Sequence, residues 1–323
     1  MNRDDLLARV AWLYYVEELT QQEIGDRLNM PRVKVTRLLK QARDEGVVEF
    51  RIARPTAHLE LERELRQHFG LQDAFVAPTP LQPARLRAAL GEAAARYLQN
   101  LFRPGLVVGL GMGRTLAEIP RFVEPHSDGR CVFVEMVGGA GRSDLGFDTY
   151  NVSWRLAECC GGVAEHVFTP VVVESGEARA ARLQDSQISA TLERAAQSDV
   201  ALVGIGNTGD DMVLYHLGCC DYAIVRDLRQ RGAVGDIMGH FFDVQGQPVA
   251  CPLDDRLIAI SLDQLRAIPT VVAVAGGQDK TAAILGALRG KHASVLVTDM
   301  DTARAVLAKG RDAGPADAGG SDE

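Results

Sequence analysis

From about Leu71 onward, short apolar runs alternate with stretches whose hydrophobic residues recur at helical spacing. This alternation predicts β-strands joined by helices, and therefore a mostly parallel sheet that is covered on both faces. Six strands are predicted: Leu106–Leu110, Val132–Val137, His166–Val173, Val200–Ile205, Val271–Ala275 and Ser294–Thr298. We therefore expect an α/β domain over residues 71–309.

Several of these predicted strands end in glycine, at the sheet edge where open α/β folds bind ligands. The first end reads V-V-G-L-G-M-G-R-T over residues 107–115, with a helix expected to begin near Thr115. Exposed N–H groups at a helix start favour an anion such as phosphate, although a tight turn alone would also explain the glycines. The spacing is not the dinucleotide fingerprint, because the last glycine comes one residue early and no acid follows about twenty residues later. The predicted ligand contacts in this loop are Gly109, Gly111, Gly113, Arg114 and Thr115.

The other strand ends add further candidates. Gly138 and Gly139 follow one strand, Gly206 follows another, and Lys280 follows a Gly-Gly pair where a helix is expected to open. A cation is disfavoured by the dipole at a helix start, so Lys280 suggests a point charge for phosphate. A solvent-exposed lysine is the alternative.

The segment G-D-I-M-G-H-F-F-D, residues 235–243, resembles a ligand-binding loop rich in glycine and aromatic residues. Its carboxylates can accept hydrogen bonds from neighbouring sugar hydroxyls, although one of them could instead cap a turn. We assign the sugar contact to Asp236. Together with the glycine loops, this predicts a small phosphorylated sugar as ligand.

The first sixty residues have a different pattern. Thr20 and Glu23 form a predicted capping box, Pro31 suits the first position of a helix, and Gly46 is a stop signal. Helices are therefore expected at about 4–16, 21–28 and 31–45. Short helices joined by a tight turn are typical of the helix-turn-helix, which places its second helix in the major groove of DNA.

The third predicted helix has a basic open face. Placing Val35, Leu38, Leu39 and Ala42 inward turns Val33, Arg37 and Lys40 outward. Residues 30–43 hold five basic side chains and no acid, so the chain's net charge of −8 hides a local basic surface. A solvated charged helix is the alternative, but Val33 suits a thymine methyl better than water. The predicted DNA contacts are Arg32, Val33, Lys34, Thr36, Arg37 and Lys40, together with Arg51.

Arg51 belongs to V-V-E-F-R-I, residues 47–52, which alternates like a strand and predicts a winged-helix-like domain over residues 1–56. Residues 57–70 follow as an amphipathic linker or oligomerisation helix with Leu61, Leu65 and Phe69 on one face, and ordinary core packing of that face is the alternative. Residues 310–323 are small, polar and acidic, and are expected to be a disordered tail.

Composition narrows the class of protein. No apolar run reaches the roughly 18 residues of a membrane span, and the first residues do not resemble a secretory signal. The six cysteines include no C-x-x-C pair, so we expect reduced thiols in a cytoplasmic protein, with no metal and no cofactor.

These motifs together resemble the SorC family of sugar-responsive bacterial regulators, within the wider DeoR-like group, over nearly the whole chain to about Leu307. The resemblance rests on L-T-Q-Q-E-I-G-D-R-L-N-M-P-R-V-K-V-T-R-L-L, G-L-G-M-G-R-T, G-D-I-M-G-H-F-F-D and A-G-G-Q-D-K-T-A-A-I-L-G-A-L-R-G. It implies an effector domain similar in fold to sugar-phosphate isomerases and coenzyme A transferases, which binds phosphorylated sugars or polyols. It also implies a homo-oligomer, dimer or tetramer, that acts on operator DNA. Where the family often has an aromatic residue, this chain has Met112.

Two enzymatic alternatives stay open at this point. A sugar-phosphate isomerase with a DNA-binding appendage would need a base at the substrate carbon, and Glu135, Asp144 and Asp148 lie near predicted strand ends. A nucleotide-dependent oxidoreductase is disfavoured by the missing fingerprint acid. The favoured prediction is a regulator with no catalytic residues.

Overall fold

A computed structural model describes residues 3–48, 56–125, 130–139, 149–210 and 212–312. The chain divides into two compact units, Met1–Thr56 and Ala57–Glu323. We call them the small unit and the large unit.

The small unit contains α1 (Arg3–Tyr15), α2 (Gln21–Arg27) and α3 (Arg32–Asp44). The predicted capping box is present: the Thr20 backbone N–H donates to Glu23 Oε2 at 2.7 Å, and the Glu23 N–H donates to Thr20 Oγ1 at 3.3 Å. Apolar side chains from all three helices form one core, which contains Val10, Leu13, Ile24, Val35 and Leu39. The helix-turn-helix prediction is therefore confirmed.

The turn between α2 and α3 is tight. A Cβ at Gly25 would lie 2.6 Å from the Met30 carbonyl oxygen, so only glycine allows the turn to approach α2 this closely. Asn29 takes a positive φ of 53°, which asparagine tolerates better than most residues. Pro31 precedes the first residue of α3 as its N-cap, one position earlier than predicted.

The predicted wing falls mostly outside the described residues, which resume at residue 56. Val47 and Val48 are described and do not belong to a strand. Arg51, and with it the predicted wing contact, lies among the residues that the structure does not describe.

The large unit is built on a seven-stranded sheet. Its strands are β1 (Asp73–Ala77), β2 (Val107–Leu110), β3 (Val132–Glu135), β4 (Val163–Glu165), β5 (Val200–Gly204), β9 (Thr270–Val274) and β10 (Val295–Asp299). They lie in the order β1-β10-β9-β5-β2-β3-β4, and every pair of neighbours is parallel. Alternate residues of one strand enter different hydrophobic cores: Ala201 and Val203 join one core, and Val200 and Leu202 join the other. The sheet is therefore covered on both faces, as the apolar runs predicted.

Helices connect these strands and cover the sheet. They are α5 (Leu86–Gln99), α6 (Thr149–Cys159), α7 (Gly176–Leu183), α8 (Ser186–Ala196), α9 (Val213–His216), α10 (Tyr222–Gln230), α11 (Leu262–Ala267), α12 (Thr281–Arg289) and α13 (Met300–Asp312). No helix in the described ranges is both long enough and apolar enough to cross a lipid bilayer.

Two predictions of secondary structure in the large unit were wrong. The run 166–173 is not a strand: β4 ends at Glu165, and residues 166–173 form only isolated bridges, such as Val172 with Leu257. The segment 235–243, predicted as a loop, is a β-hairpin of β7 (Ala233–Ile237) and β8 (His240–Asp243), and β6 (Gly206–Asn207) pairs with β7. Met238 and Gly239 both have positive φ, which is typical of a two-residue hairpin turn.

The predicted linker helix is α4 (Ala57–Phe69), and it packs within the large unit against β1 and α13. Leu65 is fully buried there, and the Val76 N–H donates to Glu62 Oε1 at 2.9 Å. The structure therefore assigns this helix to the large unit rather than to a separate linker. At the other end, α13 continues to Asp312, past the predicted boundary at 309, and the described residues end there.

Candidate functional site

The large unit has a cleft at the carboxyl ends of its parallel strands. Its walls come from the segment after β2, the connection between β5 and β6, the β7–β8 hairpin and the first residues of the α12 region. Predicted ligand contacts line it from all four places: Gly113, Arg114, Thr115, Gly206, Asp236 and Lys280. The structure thus brings together residues that lie up to 167 positions apart in the chain.

Lys280 is the N-cap of α12, as predicted, and it is half-buried. Its ammonium Nζ donates to the Ile205 carbonyl oxygen at 2.7 Å. Burial lowers the pKa of Lys280, and the neighbouring carboxylates of Asp236 and Asp279 oppose this by raising it. The helix-dipole argument for a phosphate beside Lys280 is therefore weaker than expected, because two carboxylates and a carbonyl oxygen already lie near the ammonium.

Asp236 lies in β7 and faces the same cleft. Its Oδ2 accepts a hydrogen bond from the Gly239 N–H at 3.0 Å, which holds the carboxylate across the hairpin turn. Burial raises the pKa of Asp236, whereas this N–H and the Lys280 ammonium lower it. A cation and a carboxylate therefore face one cleft, where water stabilises neither of them fully.

Gly206 makes room for that carboxylate. Gly206 pairs with Asp236 in the β6–β7 ladder, and a Cβ at Gly206 would lie 2.0 Å from Asp236 Oδ1. The glycine is thus required by the carboxylate itself, which the sequence pattern alone did not reveal.

Two polar side chains of the cleft, those of Asn207 and Arg87, were not among the predicted ligand contacts. Asn207 lines the cleft beside Gly206, and its Nδ2 donates to Asp279 Oδ2 at 2.8 Å. It follows Gly206 at the end of β5 in the sequence G-I-G-N, residues 204–207, so this strand end contained a signal for it. Arg87 reaches the cleft from α5, and no local pattern marks it.

Four predicted glycines do not line the cleft. Gly109 lies within β2, where a Cβ would be 2.8 Å from the Met136 sulfur, and Gly111 is buried with its N–H donating to the Leu202 carbonyl. Gly138 and Gly139 donate their N–H groups to the carbonyls of Ile258 and Thr169. These four positions serve close backbone packing, which produces the same sequence signal as a ligand loop.

The helix expected at Thr115 is a six-residue 3-10 helix, Leu116–Arg121, with Thr115 as its N-cap. The helix-start argument for phosphate is correspondingly weaker at this position, because so short a helix sums few peptide dipoles. Within this loop, Arg114 provides the charge that lines the cleft.

Glu135, the candidate base, is fully buried away from the cleft. Its carboxylate accepts hydrogen bonds from the Val167 N–H at 3.0 Å and the Ser153 hydroxyl at 3.0 Å, and it lies 2.9 Å from His166 Nδ1. Glu135 therefore has a structural role at the end of β3, where it holds neighbouring segments together through these contacts. Asp144 and Asp148 lie outside the described residues.

The described ranges hold no group of three His, Cys, Asp or Glu side chains that converge as metal ligands would. No disulfide bond joins any of the six cysteines, all of which lie in the described ranges.

The open face of α3 is the second candidate site. Arg32, Lys34, Arg37 and Lys40 are exposed, and their side chains form no hydrogen bond or ion pair with any described residue. Val33 is 78% exposed in the same helix, whereas Val35, Leu39 and Ala42 are buried. Thr36 differs from its neighbours, since its hydroxyl donates to Gln21 Oε1 on α2 at 2.8 Å. The result is a basic surface with an apolar residue at its centre.

Comparisons with known proteins agree with this two-part organisation. The family described as "Putative sugar-binding domain" matches residues 53–308, and the family "Sigma-70, region 4" matches residues 10–45. The chain is 34% identical over 313 residues to the transcriptional regulator LsrR of Enterobacter sp. (strain 638), covering 95% of this chain and 94% of the relative. It is 31% identical over 309 residues to the deoxyribonucleoside regulator of Bacillus subtilis (strain 168), covering 95% and 98%.

Among solved structures, the full-length sorbitol operon regulator SorC from Klebsiella pneumoniae is similar over 95% of this chain and 99% of its own, with a TM-score of 0.74 and an identity of 27%. The chain therefore belongs to the SorC family of transcriptional regulators, with a helix-turn-helix region and a sugar-binding domain.

Proposed function

We propose that this regulator binds operator DNA through its small unit, residues 1–56, and a small phosphorylated sugar or polyol through its large unit. The proposed DNA contacts are Arg32, Val33, Lys34, Arg37 and Lys40. The proposed effector contacts are Gly113, Arg114, Thr115, Gly206, Asp236 and Lys280.

The observation that carries the effector proposal is that the Lys280 ammonium and the Asp236 carboxylate line one cleft. A carboxylate accepts hydrogen bonds from sugar hydroxyls, and an ammonium binds a phosphate dianion through a charge-assisted bond. Arg87 and Arg114 line the same cleft and add to its positive potential. One ligand with hydroxyls at one end and phosphate at the other satisfies both kinds of group.

The proposed mechanism is linkage between the two units in a homo-oligomer. Helix-turn-helix proteins commonly bind DNA as dimers, and the separation of their two recognition helices must match the spacing of the half-sites. An effector that binds one arrangement of the oligomer better than another shifts the population and with it the affinity for operator DNA. The effector must distinguish the two arrangements, since equal binding shifts nothing.

Thermal unfolding with matched ligand pairs tests the effector class. The pairs are ribose with ribose 5-phosphate, glucose with glucose 6-phosphate and glycerol with glycerol 3-phosphate, and inorganic phosphate alone is the control. A ligand at 100 times its Kd should stabilise the large unit by about 2.7 kcal/mol. We expect at least one phosphorylated member to raise the Tm while its free partner does not. Equal shifts from free sugars would contradict the phosphate assignment.

An assay for turnover accompanies this screen. Each phosphorylated sugar that stabilises the protein is incubated with it, and the mixture is analysed for isomers. We expect the sugar to be recovered unchanged, because the candidate base Glu135 is buried outside the cleft. Isomerisation beyond one turnover per chain that Asp236→Asn abolishes would instead establish an enzyme.

A further inference from the structure

A hydrogen bond joins the two helices of the helix-turn-helix on their open side. The Thr36 hydroxyl of α3 donates to Gln21 Oε1, the side-chain carbonyl of the first residue of α2, at 2.8 Å. The same hydroxyl oxygen lies 3.1 Å from the Arg32 carbonyl oxygen, which is a longer contact. Since a threonine hydroxyl has one proton, the shorter contact defines its main acceptor. Thr36, predicted from sequence as a DNA contact, is thus engaged inside the protein.

This bond orients the Gln21 amide. With Oε1 occupied by Thr36, both N–H donors of the Gln21 Nε2 are left without a partner among the described residues. If the amide were rotated by 180°, one N–H would point to Thr36 Oγ1 and the other would still lack an acceptor. In either orientation the side chain therefore offers at least one fixed donor.

The position of that donor indicates what it binds. Gln21 and Arg32 line one shallow depression at the junction of α2 and α3. In helix-turn-helix complexes the first helix of the motif crosses the DNA backbone, while the second reads bases in the major groove. A neutral donor on α2 beside an exposed arginine is suited to a phosphate oxygen.

We propose that Gln21 binds a backbone phosphate of DNA, and that Thr36 is a positioning residue that holds the Gln21 amide for this contact. The proposal rests on the proposed DNA-binding face of α3. It predicts that Thr36 contributes to affinity only while Gln21 is present.

The test uses the full-length protein in a double-mutant cycle of Gln21→Ala, Thr36→Val and both together. Kd is measured by fluorescence anisotropy on a duplex that the parent protein selects from a randomised library, and on an unselected duplex. A neutral hydrogen bond predicts that Gln21→Ala weakens binding by about two- to tenfold, by the same factor on both duplexes. Thr36→Val should weaken it by no more than that, and the double variant should match Gln21→Ala alone.

Gln187→Ala is the matched control, because Gln187 is the same residue type, is exposed and lies one position from the start of α8 in the large unit. Its Kd should stay within about twofold of the parent value. Gln21→Glu keeps an acceptor for Thr36 but replaces the donor by a negative charge, and should therefore weaken binding more than Gln21→Ala. Circular dichroism and Tm of each variant establish that the small unit remains folded.

Several results would overturn the proposal. If Arg37→Ala weakens binding while Gln21→Ala and Gln21→Glu do not, Gln21 does not touch DNA and only the new inference fails. If none of the three weakens binding, the DNA-binding face itself has been assigned wrongly. A weakening confined to the selected duplex would indicate a base contact, and additive effects in the cycle would mean that Thr36 contacts DNA directly.

Discussion

The two units build their candidate sites in different ways. In the small unit, the exposed cations Arg32, Lys34, Arg37 and Lys40 all come from α3, and 3.6 residues per turn sets their arrangement. In the large unit, Arg114, Gly206, Asp236 and Lys280 come from four separate segments that meet only because the sheet brings its carboxyl ends together. The first site can be derived from local periodicity, whereas the second depends on topology.

The electrostatics of the two sites differ in the same way. The cations of α3 are exposed and unpaired within the described chain, so their interaction with DNA should depend on salt. Lys280 is half-buried near the carboxylates of Asp236 and Asp279. Salt therefore screens its charge less than it screens the charges of α3, and the two carboxylates partly neutralise it. Four predictions test this contrast.

The largest expected effect is on the effector response. Lys280→Met should leave operator binding intact but raise the effector concentration needed for the response by at least about tenfold, since a charge-assisted hydrogen bond contributes roughly 1.5–3 kcal/mol. The ligand found in the thermal screen is titrated into the DNA complex of parent and variant. Lys309→Met, which replaces an exposed lysine on α13, serves as control. An unchanged midpoint would remove Lys280 from the effector site.

The second prediction concerns the other unit. Arg37→Ala should weaken binding to the selected duplex by about 1–3 kcal/mol if the guanidinium pairs with a guanine. Arg304→Ala, in the large unit and paired with Asp301, should leave DNA binding unchanged. The two Kd values are compared at one salt concentration. Equal affinity of Arg37→Ala and the parent would mean that α3 does not present this face to DNA.

The third prediction separates the two kinds of charge. Lys40→Ala should reduce the slope of log K against log salt by about one for each phosphate that the lysine neutralises in the parent complex. Lys280→Met should leave that slope unchanged in the absence of effector. Anisotropy titrations over a range of KCl concentrations measure both. A slope near zero for the parent protein would contradict phosphate binding by α3.

The smallest effect concerns pH. Burial lowers the pKa of His240 and His292 in the large unit, whereas residues 1–56 contain no histidine. The unfolded state therefore takes up protons first, and the stability present above about pH 6.5 decreases as the pH falls toward the lowered pKa values. Hydrogen exchange read by mass spectrometry should show a larger decrease of protection in the large unit than in the small unit.

Histidine substitutions test the cause of that decrease. His292→Gln should reduce the acid sensitivity, while His216→Gln, at an exposed position, should not. If both units became less protected to the same extent and neither variant changed the outcome, buried histidines would not be responsible.

Local chemistry made most of the secondary structure predictable. The Thr20–Glu23 capping box, the buried Val35 and Leu39, and the apolar runs of β5, β9 and β10 were identified from spacing and residue type. The hairpin at 235–243 was missed because Met238 has a positive φ, which sequence rarely signals outside glycine and asparagine. The edge strand β1 was missed because an aspartate and two alanines, which strands disfavour, make up three of its five residues D-A-F-V-A.

Periodicity and residue chemistry within short segments were enough to establish the helix-turn-helix and the parallel α/β domain, and they pointed to Asp236 and Lys280. Which glycines serve the cleft became clear only from the assembled fold. Gly206 accommodates a carboxylate, whereas Gly138 lies where a Cβ would be 2.7 Å from the carbonyls of Thr169 and Pro170. The two positions look alike in the sequence, because each of them requires glycine, the residue without a side chain. What approaches that residue is set by segments distant in the chain.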